Sequence, residues 1–205
     1  VRGIVQAFGT DVVDRTFDSL RAAPLDIFAA EDIQLPKGTG FNPNKEPSPS
    51  MEPFEVYRDE LVVVTATLVQ HPPTAPAFAF RFDTAEGSVT ISGDTAPSEN
   101  LVCLAQDTDL LMHEVIDYDW VESFYSKERE ETRNATIEHH RKSHSSAQQV
   151  ASLANAARAR TLALHHLVPA NLPRQAWLDG ARKFTGPVVV PDDLDVIGFA
   201  ANASQ

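Results

Sequence analysis

The chain has 205 residues, 42% of them hydrophobic and 22% charged, enough to bury a sizeable globular core. No apolar run approaches the ~20 residues that span a bilayer, and 17 basic against 29 acidic residues, net −12, disfavour extended nucleic-acid binding. Cys103 is the sole cysteine, so an intrachain disulfide is excluded and a reducing, cytoplasmic setting is expected.

The opening VRGIVQAFGTDVVDRTF lacks the basic and apolar regions of a signal peptide. It reads like the middle of a helix, and the expectation is a chain belonging to a longer protein. Residues 1–8 and 15–22 are predicted helical, and 25–32, LDIFAAED, a strand running into a turn. Residues 34–53 hold five prolines and two glycines among polar residues, which predicts a long surface loop, a mobile arm. The whole of 1–205 is expected to form one domain.

Residues 54–71 are rich in β-branched side chains and break at Arg58-Asp59-Glu60, so two strands are expected. Residues 77–95 alternate and turn at Ala85-Glu86-Gly87, which predicts a hairpin. A helix over 98–106 opens on Ser98 as its cap. A buried strand follows at 108–116, then a charged helical stretch at 118–141. An alanine-rich helix at 145–159 and a strand at 161–166 come next, then a helix at 173–184. A pair of strands is expected within 186–199. Antiparallel strands first and alternating α and β afterwards point to a helix-covered sheet of the α/β or α+β kind.

The seven histidines show where chemistry could sit. His71 closes LVVVTATLVQH, Asp94 closes SVTISGD, and His113-Glu114 close DLLMHE. His144 precedes a helix, and His165-His166 close TLALHH. Imidazoles and carboxylates gathered at strand ends suit zinc or a similar divalent ion. Taken singly, each has a plainer reading. A strand-end histidine is commonly a hydrogen-bonded structural residue, and Gly-Asp-Thr is a common turn. The order and spacing of the set carry the argument.

LVQHPPTAPAFAFRF, VTISGDTAPSENLVCLAQDTDLLMHEV and SHSSAQQVASLANAARARTLALHHLVP together resemble the metallo-β-lactamase fold, and within it the ribonuclease Z-like branch, over about 60–198. The resemblance implies an αββα sandwich, incomplete at its N-terminus. It implies that His71 ligates one of two zinc ions, that Asp94 bridges them, and that His166 ligates the other. It makes His144 the proton donor and Glu114 the residue orienting it. His165 stands where the branch has a small polar residue, and its role stays open. Strand alternation predicts that His166 faces the site and His165 faces away. A helix-start position would lower the pKa of His144, and Glu114 as a hydrogen-bonded partner would counter that and fix its tautomer.

The hallmark His-x-His-x-Asp-His is absent, and the 205 residues contain no His-x-His. Ala96 replaces the basic residue that often follows Gly-Asp-Thr in tRNA-processing relatives. The leading expectation is a hydrolase of phosphoester or carboxylic ester bonds using metal-bound hydroxide, on a small-molecule substrate. A missing N-terminal segment or second chain would supply the remaining ligands, and homo-oligomerisation would cover an open sheet face. The alternatives are a ribonuclease Z-like tRNA 3′-processing endonuclease and a non-catalytic binding relative without a full metal site.

Overall fold

A computed structural model describes residues 1–198. It falls into two compact units, Val1–Leu35 and the described chain from Pro36 onward. The first unit holds α1 (Arg2–Ala7), α2 (Gly9–Val13), a π-helical turn over Asp14–Asp18 and α3 (Pro24–Ile27). None of these elements contains a buried residue, and Ile4, Phe8, Phe17 and Leu20 are all exposed. The strand expected over 25–32 is instead α3 followed by irregular chain. Pro24 sits in its first turn, where the missing N–H costs nothing and the ring presets a helical φ.

In the second unit the strands are β1 (Phe54–Arg58), β2 (Val62–Leu68), β3 (Phe78–Thr84), β4 (Ser88–Ile91), β5 (Leu110–Ile116), β6 (Thr161–Val168) and β7 (Val188–Val189). They form one mixed sheet in sequential order, β1 to β7. The first four pair antiparallel, and β4, β5, β6 and β7 pair parallel. Because β2 and β4 are each antiparallel to β3, they run the same way as β5, β6 and β7. Five strands therefore end on one edge of the sheet, the edge where open α/β sheets place their sites.

The helices are α4 (Glu99–Leu104), α5 (Tyr118–Phe124), α6 (Glu130–Ser143), α7 (Ala147–Ala156) and α8 (Arg174–Gly180). The charged helical stretch expected over 118–141 is thus two helices, α5 and α6. Ser98 caps α4 by accepting from the Leu101 N–H, and Ser146 and Gln149 form a reciprocal capping box on α7. Val150, Ala151, Leu153 and Ala154 of α7 pack with Leu111, Val115, Leu162, Leu164 and Trp177 into the main core. Small alanines let α7 lie close on the sheet, and each buried leucine contributes about 2 kcal/mol. The opposite face carries Phe80, Phe82, Val89, Ile91 and Met112, all half-buried. Among the described residues there is one sheet; the sandwich's second sheet is not among them.

The 34–53 segment has neither helix nor strand, as expected. Its end is pinned. Asn100 of α4 donates to the Pro49 and Leu68 carbonyls and accepts from the Met51 N–H. Of the strand pair expected over 186–199, only Val188–Val189 is a strand among the described residues, and 199 lies outside them.

Candidate metal centre and proton donor

Asp94 stands just past β4, in a turn that only glycine opens. Gly93 adopts φ +60°, and a Cβ there would meet the Phe78 carbonyl oxygen at 2.7 Å. The Asp94 carboxylate divides its two oxygens between two imidazoles. Oδ2 lies 3.8 Å from His71 Nε2, and Oδ1 lies 3.7 Å from His166 Nδ1. His71 follows β2, whose end is laced to the Asp94 turn. The Gln70 N–H donates to Thr95 Oγ1, and the Ala96 N–H donates to the Gln70 carbonyl.

His166 reaches the site by a route that alternation did not foresee. Glu114 pairs with His165, but Val115 pairs with Leu167, so His166 is the extra residue of a bulge. Its φ of +46° lies in the left-handed region, uncommon for a non-glycine residue. The bulge, rather than the strand pleat, directs this imidazole toward Asp94. Among the described residues His165 makes no ion pair with Asp94, although the charge of Asp94 reaches it, and its buried Nε2 lacks a hydrogen-bond partner.

His144 stands 3.4 Å, Nδ1 to Oε2, from the fully buried carboxylate of Glu114. It does not begin a helix. It is the residue after α6, with an extended backbone, and α7 starts only at Ala147. The helix-start position is therefore corrected, and the dipole lowering expected from it is absent. Burial pulls the value down, but the Glu114 contact and the charges of Glu114 and Asp94 outweigh it and hold the imidazole above its ordinary range. The negative end of α6 acts in the same direction. Burial raises the Glu114 carboxyl, partly countered by His144 and two backbone N–H groups. Those N–H groups belong to Ser145, at 2.8 Å, and Thr95, at 3.3 Å, both on Oε1. One carboxylate thereby ties the loop carrying Asp94 to the loop carrying His144.

Ligand atoms of His71, Asp94 and His144 all lie within 4.8 Å of one another. Two imidazoles and a carboxylate so placed match the donor types that hold zinc. His71 is kept neutral, as a ligand must be, chiefly by burial and then by the neighbouring His144. Two features escaped the sequence reading. The Tyr118 hydroxyl donates to the His144 carbonyl at 2.8 Å. His140 lies one helical turn before His144, their ring centroids 5.8 Å apart, and its Nδ1 is buried without a partner. The i, i+4 spacing of His140 and His144 was the available signal.

With this geometry in view, two sets of relatives bear on the chain. Ribonuclease Z of Mycobacterium tuberculosis is 33% identical over 136 residues, which is 65% of this chain and 47% of that protein. A ribonuclease Z from another Mycobacterium is 32% identical over 136 residues, again 65% of this chain and 45% of its own length. The crystal structure of the metallo-beta-lactamase fold protein YhfI from Bacillus subtilis matches with a TM-score of 0.50 at 19% identity. That match covers 74% of this chain and 51% of YhfI. The chain has the metallo-β-lactamase fold and is similar in sequence to ribonuclease Z. No protein-family model matches it. This ribonuclease Z-like chain spans about half the length of the curated relatives it matches. Among its described residues, no helix is long and apolar enough to cross a membrane.

Proposed function

We propose that this chain is part of a metal-dependent hydrolase that cleaves phosphodiester bonds in RNA, with precursor tRNA as the first substrate to test. The acidic balance and Ala96 ranked small esters first. The curated relatives, named ribonuclease Z, favour the RNA reading instead. Net charge averages over the whole surface, whereas substrate choice rests on the groups around one site.

The observation that carries the reading is the Asp94 carboxylate set between His71 and His166, with the His144–Glu114 pair beside it. His71, Asp94 and His166 would hold the divalent ions, zinc by donor type, which supply Lewis acidity when bound. Three donors are fewer than two tetrahedral zinc shells need. His144, kept protonated by Glu114, would give a proton to the leaving oxygen. Glu114 accepts on Oε1 from two backbone N–H groups, which leaves Oε2 toward His144 and fixes the imidazole's orientation.

The test incubates the full-length, zinc-loaded protein with precursor tRNA bearing a 3′ trailer and, separately, with a p-nitrophenyl carboxylic ester. Trailer removal that stops on chelation and returns with zinc is the expected result. Hydrolysis of the ester with the RNA left intact would restore the small-ester reading.

A further inference from the structure

We propose that the aromatic side chains of α5, continued by His140 of α6, form a stacking track that leads the unpaired bases of an RNA end to the site at Asp94 and His144. The proposal rests on the ribonuclease reading above. Trp120 and Phe124, one helical turn apart, stack with centroids 4.8 Å apart and planes inclined by 28°. Tyr125 meets Phe124 edge-on at 5.0 Å, and His140 follows Tyr125 at 6.4 Å. His140 then approaches His144 at 5.8 Å, and His144 approaches both His71 and His166. The series is continuous from the surface of α5 to the candidate metal ligands.

A plain helix-stabilising pair does not account for it. Such an i, i+4 contact contributes only a few tenths of a kcal/mol and has no reason to run into a site. Phe124 is 62% exposed, so its face buries little in this fold and stays open to a partner ring. Unpaired bases stack on aromatic faces whatever their identity, which is how single-stranded RNA is commonly gripped. Charge opposes this occupant less here than elsewhere in the chain. Residues 118–144 hold five Lys or Arg, six Asp or Glu and three His, near balance in a chain that is otherwise strongly acidic. Arg133 makes no ion pair among the described residues. With Glu122 and Arg141 it lines a groove of about 320 Å³ beside α5 and α6, where its guanidinium is available to a backbone phosphate.

The experiment measures binding of a fluorescein-labelled oligo-A RNA octamer, and of an abasic octamer of equal length, to the full-length protein by anisotropy at low salt. Phe124→Leu keeps apolar bulk but removes the ring. It should weaken binding of the oligo-A octamer roughly 5- to 100-fold, the range for loss of one base-stacking contact. Phe124→Tyr should bind within about twofold of the unmodified protein, a change too small to involve a stacking contact. The abasic octamer should bind weakly and equally to all three. Arg133→Ala should weaken both octamers alike, as loss of a phosphate contact does. Phe124 is exposed, and an unchanged thermal midpoint confirms that the leucine variant is folded. Equal affinity of the unmodified protein for the two octamers, or full oligo-A binding by Phe124→Leu, overturns the track. Should precursor tRNA still be cleaved in that case, the track alone falls. Failure to bind or cleave any RNA removes the ribonuclease reading beneath it as well.

Discussion

His144 and Glu114 face each other at 3.4 Å, the imidazole mostly buried and the carboxylate wholly so. A buried carboxylate beside an imidazole favours the protonated ring. If that ring is the proton donor, His144→Ala in the zinc-loaded, full-length protein lowers turnover roughly 10²- to 10⁴-fold, the usual yield of general acid catalysis. Zinc content, measured by atomic emission, stays unchanged. His144 also lies within ligand distance of His71 and Asp94. Loss of zinc in the variant would make it a ligand, and full turnover would make it a bystander.

Glu114 should matter for stability before it matters for chemistry. Glu114→Ala leaves the Thr95 and Ser145 N–H groups buried and unpaired. Each such donor costs about 1–3 kcal/mol, so the variant should lose roughly 2–5 kcal/mol in urea unfolding. Glu114→Gln keeps an acceptor on Oε1 and should lose much less. Equal losses in the two would mean that burial of the charge, not the two N–H bonds, sets the cost.

The bulge at His166 separates fold from ligand. His166→Gly retains a residue at home at φ +46° while deleting the imidazole. Stability should stay within about 1 kcal/mol, since relief of left-handed strain offsets glycine's entropy cost. Zinc retention should fall. His166→Val, β-branched at the same φ, should destabilise by more than the glycine change. A glycine variant that holds zinc as well as the parent would remove His166 from the ligand set.

His113 predicts a pH dependence unrelated to metal. It is fully buried, its Nδ1 donates to the Glu114 carbonyl at 2.7 Å, and its Nε2 has no partner. Burial brings its pKa down to about 4, against 6.5 for an ordinary histidine. The unfolded chain takes up a proton near 6.5 and the folded chain only near 4. Stability is therefore complete above about pH 6.5 and declines as pH falls toward 4, by on the order of 3 kcal/mol. Urea unfolding at pH 7.5, 5.5 and 4.5 should show that slope, and His113→Leu should flatten it. An identical slope in the variant would assign the effect to other groups.

Much of the second unit was legible because its signals are local. Alternation and the Ala85-Glu86-Gly87 turn disclosed β3 and β4, and Ser98 announced the start of α4. The first unit was read less well. Pro24-Leu25-Asp26-Ile27 is too short for periodicity to separate helix from strand, and only the proline's position hinted at the outcome.

The sequence by itself determined which groups could gather. Their types and their places in or just past the later part of strands, including His71, Asp94, Glu114 and His166, follow from local pattern and from order along the chain. Tertiary structure decided how they meet. The shared direction of β2, β4, β5 and β6 brings those ends to one edge. The bulge turns His166 toward Asp94, and the end of α6, not the start of α7, sets the electrostatics of His144. Each depends on register between segments far apart in the chain. Local propensity carries no record of such pairings, because their energy appears only when the distant partner is in place.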